Sequence, residues 1–192
     1  MMTTSTQLTL RIGAAVAAVL LVSVLALRAS SAAFSDTTVN TGNSFAAGTV
    51  VLVDNDAGVA MFNASNLKPG DSTVGCIEVT YQGSLDAQVR TYGTVAGGDG
   101  LADYLDLTIE RGVSGCTAFV ADATVWDTAT DGDLGVFLSL PSDYANGVDT
   151  WAVTGGAPDD TVGYRLTITQ QDDNAAQGKS ATVDFTWEAQ NT

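Results

Sequence analysis

The sequence predicts an all-β protein built as an antiparallel sandwich or barrel, on three observations. Beyond Ala33, apolar residues recur at every second position in short runs; helical periodicity is scarce; and Gly, Asp, Asn and Pro separate the runs. A period of two sends successive side chains to opposite faces of a sheet, one buried and one wet. Short strands broken by frequent turn residues are the signature of sandwiches and barrels.

The first 33 residues stand apart from this pattern. Met1 to Leu10 is short and polar, and Arg11 supplies a positive charge. Ile12 to Leu27 is an almost unbroken apolar run, and the small residues Ala29-Ser30-Ser31-Ala32-Ala33 follow. A charged start, an apolar core and a small-residue cleavage site make a secretory signal helix over residues 1–33. The apolar run is short of the roughly 20 residues a spanning helix needs, so a permanent anchor is the lesser alternative. After cleavage no membrane segment remains, and residues 34–192 form one domain.

The mature chain opens with a polar stretch rich in Thr and Ser, Phe34-Ser35-Asp36-Thr37-Thr38-Val39-Asn40-Thr41, and then enters a strand through Phe45 to Leu52. Lys68-Pro69-Gly70-Asp71 reads as a tight turn in which Pro presets φ and Gly accepts a positive one. Alternation follows at Leu85, Ala87 and Val89, at Leu105, Leu107 and Ile109, at Tyr164, Leu166 and Ile168, and at Val183, Phe185, Trp187 and Ala189. Breaks fall at Gly97-Gly98-Asp99-Gly100, Asp131-Gly132-Asp133, Gly155 to Asp160 and Asp172-Asp173-Asn174. Two stretches read as short helices, Gly100–Tyr104 and Gly135–Tyr144.

Charge narrows the function classes. The chain carries 7 basic and 22 acidic residues, a formal charge of −15, and no His. Arg11 and Arg28 lie in the signal segment while every acid lies beyond it, so the mature protein is more acidic still. Nucleic-acid binding needs clustered Lys and Arg and is excluded as a role. Without His there is no zinc-protease helix, no Ser-His-Asp triad and no Cys-His pair, and the chain reads as a non-enzyme. Cys76 and Cys116 are the only cysteines. In an exported chain they meet an oxidising compartment, and one disulfide is expected.

Two binding chemistries compete with a purely structural role. Asp54-Asn55-Asp56, and Asp127 with Asp131 and Asp133, gather oxygen ligands of the kind Ca²⁺ takes. Neither stretch has the spacing of an EF-hand loop, and Asp and Asn are also ordinary turn residues. Trp126 and Trp151, if exposed, would suit a glycan; otherwise they are core residues. Together these motivate the alternative of a monomeric secreted binding module.

The order of motifs resembles a known family. A hydrophobic signal, Ala33-Phe34-Ser35-Asp36, then Asn43-Ser44-Phe45-Ala46-Ala47-Gly48-Thr49-Val50-Val51-Leu52, is similar to the opening of the TasA/camelysin family. Asn66-Leu67-Lys68-Pro69-Gly70-Asp71 resembles the family's Asn-x-x-Pro-Gly-Asp turn, and Val183 to Gln190 resembles the closing strand of its two-cysteine members. The resemblance implies a jelly-roll-type β-sandwich, trimmed by a SipW-type signal peptidase and polymerised with copies of itself in the extracellular biofilm matrix. It implies donor-strand exchange, in which Phe34 to Thr41 of one subunit would complete the sheet of its neighbour, with Phe34 as the anchor. Cleavage of the signal would free that strand. The family label also implies metallopeptidase activity; a chain without His lacks the ordinary ligands for it, and this activity is not carried over.

Overall fold

The computed structural model describes residues 48–192, apart from Ser65 and Ser114. The signal segment 1–33 and the donor segment Phe34–Thr41 lie outside the described residues, which form one compact unit from Gly48 to Thr192. Among them no helix is long and apolar enough to cross a membrane.

Eight strands make up the unit: β1 (Leu52–Asp54), β2 (Ser72–Tyr81), β3 (Ala87–Gly98), β4 (Leu105–Gly112), β5 (Ala121–Asp127), β6 (Val148–Val153), β7 (Asp160–Gln170) and β8 (Ala181–Asn191). They form a five-stranded sheet in the order β1-β2-β7-β4-β5 and a three-stranded sheet in the order β6-β3-β8. Every pairing is antiparallel. The strand order corresponds to an immunoglobulin-type Greek key, with β1, β2, β7 and β4 standing as strands A, B, E and D, and β3 and β8 as C and F. Beside β8, where strand G would lie, no strand stands among the described residues. The antiparallel sandwich expected from the alternation is therefore present, whereas this strand order does not show the jelly-roll winding.

The alternation defines the core. On β7, Val162, Tyr164, Leu166 and Ile168 are buried; on β4, Leu105, Leu107 and Ile109; on β2, Ile77, Val79 and Tyr81. Each set faces the inner side of the three-stranded sheet, which contributes Val89, Trp151 and Val153. Burial of a large apolar side chain contributes roughly 1.5–3 kcal/mol, so this layer is the main source of stability.

The strand readings need two adjustments. Leu85 precedes β3 and remains 38% exposed, so the third strand begins at Ala87. Gly97 and Gly98, read as part of a break, pair with Thr182 and Ala181 as the last residues of β3. Both helical readings fall on short helices. A 3-10 helix spans Leu101–Tyr104. One α-helical turn, α1 (Thr128–Asp131), precedes α2 (Leu134–Ser139), whose Leu134 and Phe137 reach the core. The Lys68–Asp71 turn closes as expected: Asp71 N–H donates to Lys68 O at 2.9 Å, and Gly70 takes φ 82°.

Candidate functional site

The site is the seam between β8 and the β1–β2 edge, where no further strand stands among the described residues. On its inner face β8 presents Val183, Phe185, Trp187 and Ala189, the same alternation that β7 carries. Burial separates the two strands. The inner residues of β7, which lies between β2 and β4, are fully buried, while those of β8 are only half-buried. A strand with one neighbour directs the N–H and C=O groups of alternate residues away from the sheet, and on β8 those groups face the seam.

A groove of about 570 Å³ runs along this edge. Val183, Phe185 and Trp187 of β8 line it together with Thr73 and Ile77 of β2, Leu105, Ile168 and the connecting segment Val59–Ala64. Trp187 packs on the core through Tyr164, with ring centroids 5.3 Å apart, and Phe185 on Phe137 at 5.9 Å. The indole N–H of Trp187 is buried and finds no acceptor among the described residues. A buried donor without a partner is costly, and its presence here marks the groove as a surface short of a polar contact.

The two cysteines form the expected disulfide, S–S 2.07 Å and Cα–Cα 5.8 Å. Cys76 points from the outer face of β2, and Cys116 reaches it from the β4–β5 connection, which crosses over β7. Gly163 of β7 makes the crossing possible, because a Cβ there would lie 2.8 Å from the Gly115 backbone. The Glu78 carboxylate accepts Cys116 N–H at 2.7 Å, and Glu78 N–H donates to Asn55 Oδ1 at 2.9 Å. The strap thus ties β2, the strand bordering the groove, to the far side of the sheet.

The remaining sequence candidates have structural duties. Asp127 Oδ1 accepts Ala129 N–H at 2.8 Å at the start of α1, and Asp133 Oδ1 accepts Val136 N–H at 2.9 Å at the start of α2. Asp131 accepts Asp127 N–H and the Thr130 hydroxyl. These carboxylates satisfy helix-terminal and turn donors, which accounts for them without a cation. Likewise, Asp56 accepts Gly58 N–H, and Asn55 holds Glu78. Trp126 and Trp151 are 6% and 8% exposed, core residues with no face to offer a glycan. Sequence reading missed the groove because its defining feature is a neighbour missing among the described residues; the local trace is the Trp and Phe on the closing strand.

Residues 7–95 match the family model described as camelysin metallo-endopeptidase. This stretch, 89 of the chain's 192 residues, is therefore similar to the TasA/camelysin family. It takes in Phe34–Thr41, the Lys68–Asp71 turn, all of β2 and most of β3. No curated protein matches the chain. The family description implies a catalytic metal, which the residues present can be asked to hold. The chain has no His, both cysteines are in the disulfide, and among the described residues no cluster of three or more His, Cys, Asp or Glu side chains is placed to hold a metal. This donor set does not fit a peptidase metal.

Proposed function

We propose that this chain is a secreted structural subunit of an extracellular, biofilm-matrix fibre, assembled head to tail with the amino-terminal segment of one copy lying along β8 of the next. The free edge of β8, with half-buried apolar residues beneath it, carries this reading. Main-chain hydrogen bonds to an incoming strand would satisfy that edge, and alternate side chains would fill the groove. Eight residues, 34–41, span roughly 26 Å when extended, within the length of the 11-residue edge. A donor at one end and an acceptor on another copy give a heterologous contact that does not close, hence a filament. Export followed by cleavage at about Ala33 by a SipW-type signal peptidase would release the donor and act as the assembly switch. The strongly acidic surface keeps subunits apart until that specific contact forms.

Mature protein beginning at Phe34 is expected to elute as large species and to show filaments in electron micrographs. A variant lacking residues 34–41 should remain monomeric, and so should Phe185→Ser, which keeps the donor and damages the acceptor. Strictly monomeric behaviour of the intact mature chain at high concentration would overturn the reading.

A further inference from the structure

We infer that the groove beside β8 carries its own displaceable cover, Val59–Ala64, which lines the open space and which an incoming strand must push aside; this rests on the fibre reading above. The segment belongs to neither sheet. It follows β1 and precedes the Lys68–Asp71 turn, yet Met61 and Phe62 pack against the core from the seam, half-buried. Their seat is built into β2. Gly75 lies on the inner face, at the position in the Thr73, Ile77, Val79 series where a side chain would otherwise fill the sandwich. A Cβ there would overlap Met61 Cγ and would lie 2.8 Å from Met61 Sδ and 3.0 Å from Phe62 Cε1. The glycine is thus a notch that receives the plug.

The attachment is apolar and weakly tethered. Among the described residues, Ala60 to Ala64 make no hydrogen bond to either sheet. The segment is anchored outside itself: Asn55 is clipped to Glu78 N–H on one side, and Gly70 N–H donates to Gln170 O on the other. Ala57 and Asn66, flanking it, hold φ of 53° and 58°, left-handed values that non-glycine residues adopt reluctantly. A segment with side-chain contacts but no ladder bonds cannot satisfy the β8 edge. An incoming strand can, and it would replace the plug at the cost of exposing Met61 and Phe62. The plug therefore covers the groove on the isolated subunit, limits non-specific sticking, and slows assembly until a strand of the right register arrives.

The test compares self-association of the intact mature chain with Met61→Ala/Phe62→Ala, and with the same double variant lacking residues 34–41. Removing the plug should shorten the assembly half-time roughly tenfold, the scale set by one lost competing apolar contact. The double variant without residues 34–41 should stay monomeric, because release of the plug creates no new donor. Gly75→Ala, which closes the notch while leaving the plug side chains in place, should also accelerate assembly. Equal half-times for intact and double-variant chains would overturn the plug while leaving the fibre reading in place. Association of the double variant without residues 34–41 would also overturn it, since the gain would then be non-specific. Monomers in every arm would overturn the fibre reading and the plug with it.

Discussion

The two seams of the sandwich are built differently. On the β5–β6 side the sheets are tied by polar and aromatic contacts. Arg111 of β4 meets Asp149 of β6 at 2.6 Å, and the Tyr164 hydroxyl of β7 donates to the same carboxylate at 2.7 Å. Trp126 stands edge-on to Phe137 at 5.1 Å, and its indole N–H donates to Gly132 O at 2.8 Å. Burial alone would lower the Arg111 pKa, but Asp149, Tyr164 and Asp122 outweigh it and hold the guanidinium above its ordinary value. Burial, then Asp149, pushes the Tyr164 phenol well up. On the β8 side, by contrast, neither an acceptor for Trp187 nor a partner strand for the edge stands among the described residues, and a loop segment lines the gap. One seam is finished within the described unit; the other is left for something else to finish. On the fibre reading proposed above, fold stability and assembly fall to opposite sides of the same core.

The comparison can be broken at its closed side. Asp149→Ala removes the partner of a charge whose side chain is only 16% exposed. Loss of about 3–5 kcal/mol is expected by urea titration, the range for a buried ion pair that loses one member. Filament formation per folded molecule should be unchanged, and a parallel loss of assembly would mean that the two seams are coupled. Removing the strap is next in size. Cys76→Ser/Cys116→Ser opens a crosslink of sequence separation 40 and should cost roughly 3–4 kcal/mol by chemical denaturation. Because Cys76 lies on β2, this change should also loosen the groove wall, seen as faster amide exchange in β2 than in β4. The smallest effect sharpens the role of the acids: Asp133→Ala removes a helix cap and should cost about 1 kcal/mol. If these carboxylates serve only as caps, EDTA leaves the melting temperature of the unaltered protein unchanged. A chelator-dependent drop would restore a cation to the Asp127–Asp133 stretch.

Much of this architecture was legible locally. The inner residues of β4, β7 and β8 follow from period-two alternation, the Lys68–Asp71 turn from Pro and Gly, and the disulfide from the two cysteines of a chain expected to be exported. Other features were out of reach because they depend on partners distant in sequence. Leu85 continues the alternation but lies outside its strand. Trp126 and Trp151 have the same side chain that would suit a glycan face, and only packing shows that they are enclosed. Asp127, Asp131 and Asp133 have the composition of a cation loop, yet one oxygen of each accepts from a local backbone N–H, and that of Asp131 also from the Thr130 hydroxyl.

By itself the sequence determined which face of each strand is apolar, where the chain turns, and that the chain is acidic and carries one crosslink. These depend on residue type and on neighbours a few positions away. The tertiary structure alone decided that β7 lies between two strands while β8 stands at an edge among the described residues. Strand pairing joins residues as far apart in sequence as Ala87 and Asn191, so identical alternation can end in a sealed core or in an open groove.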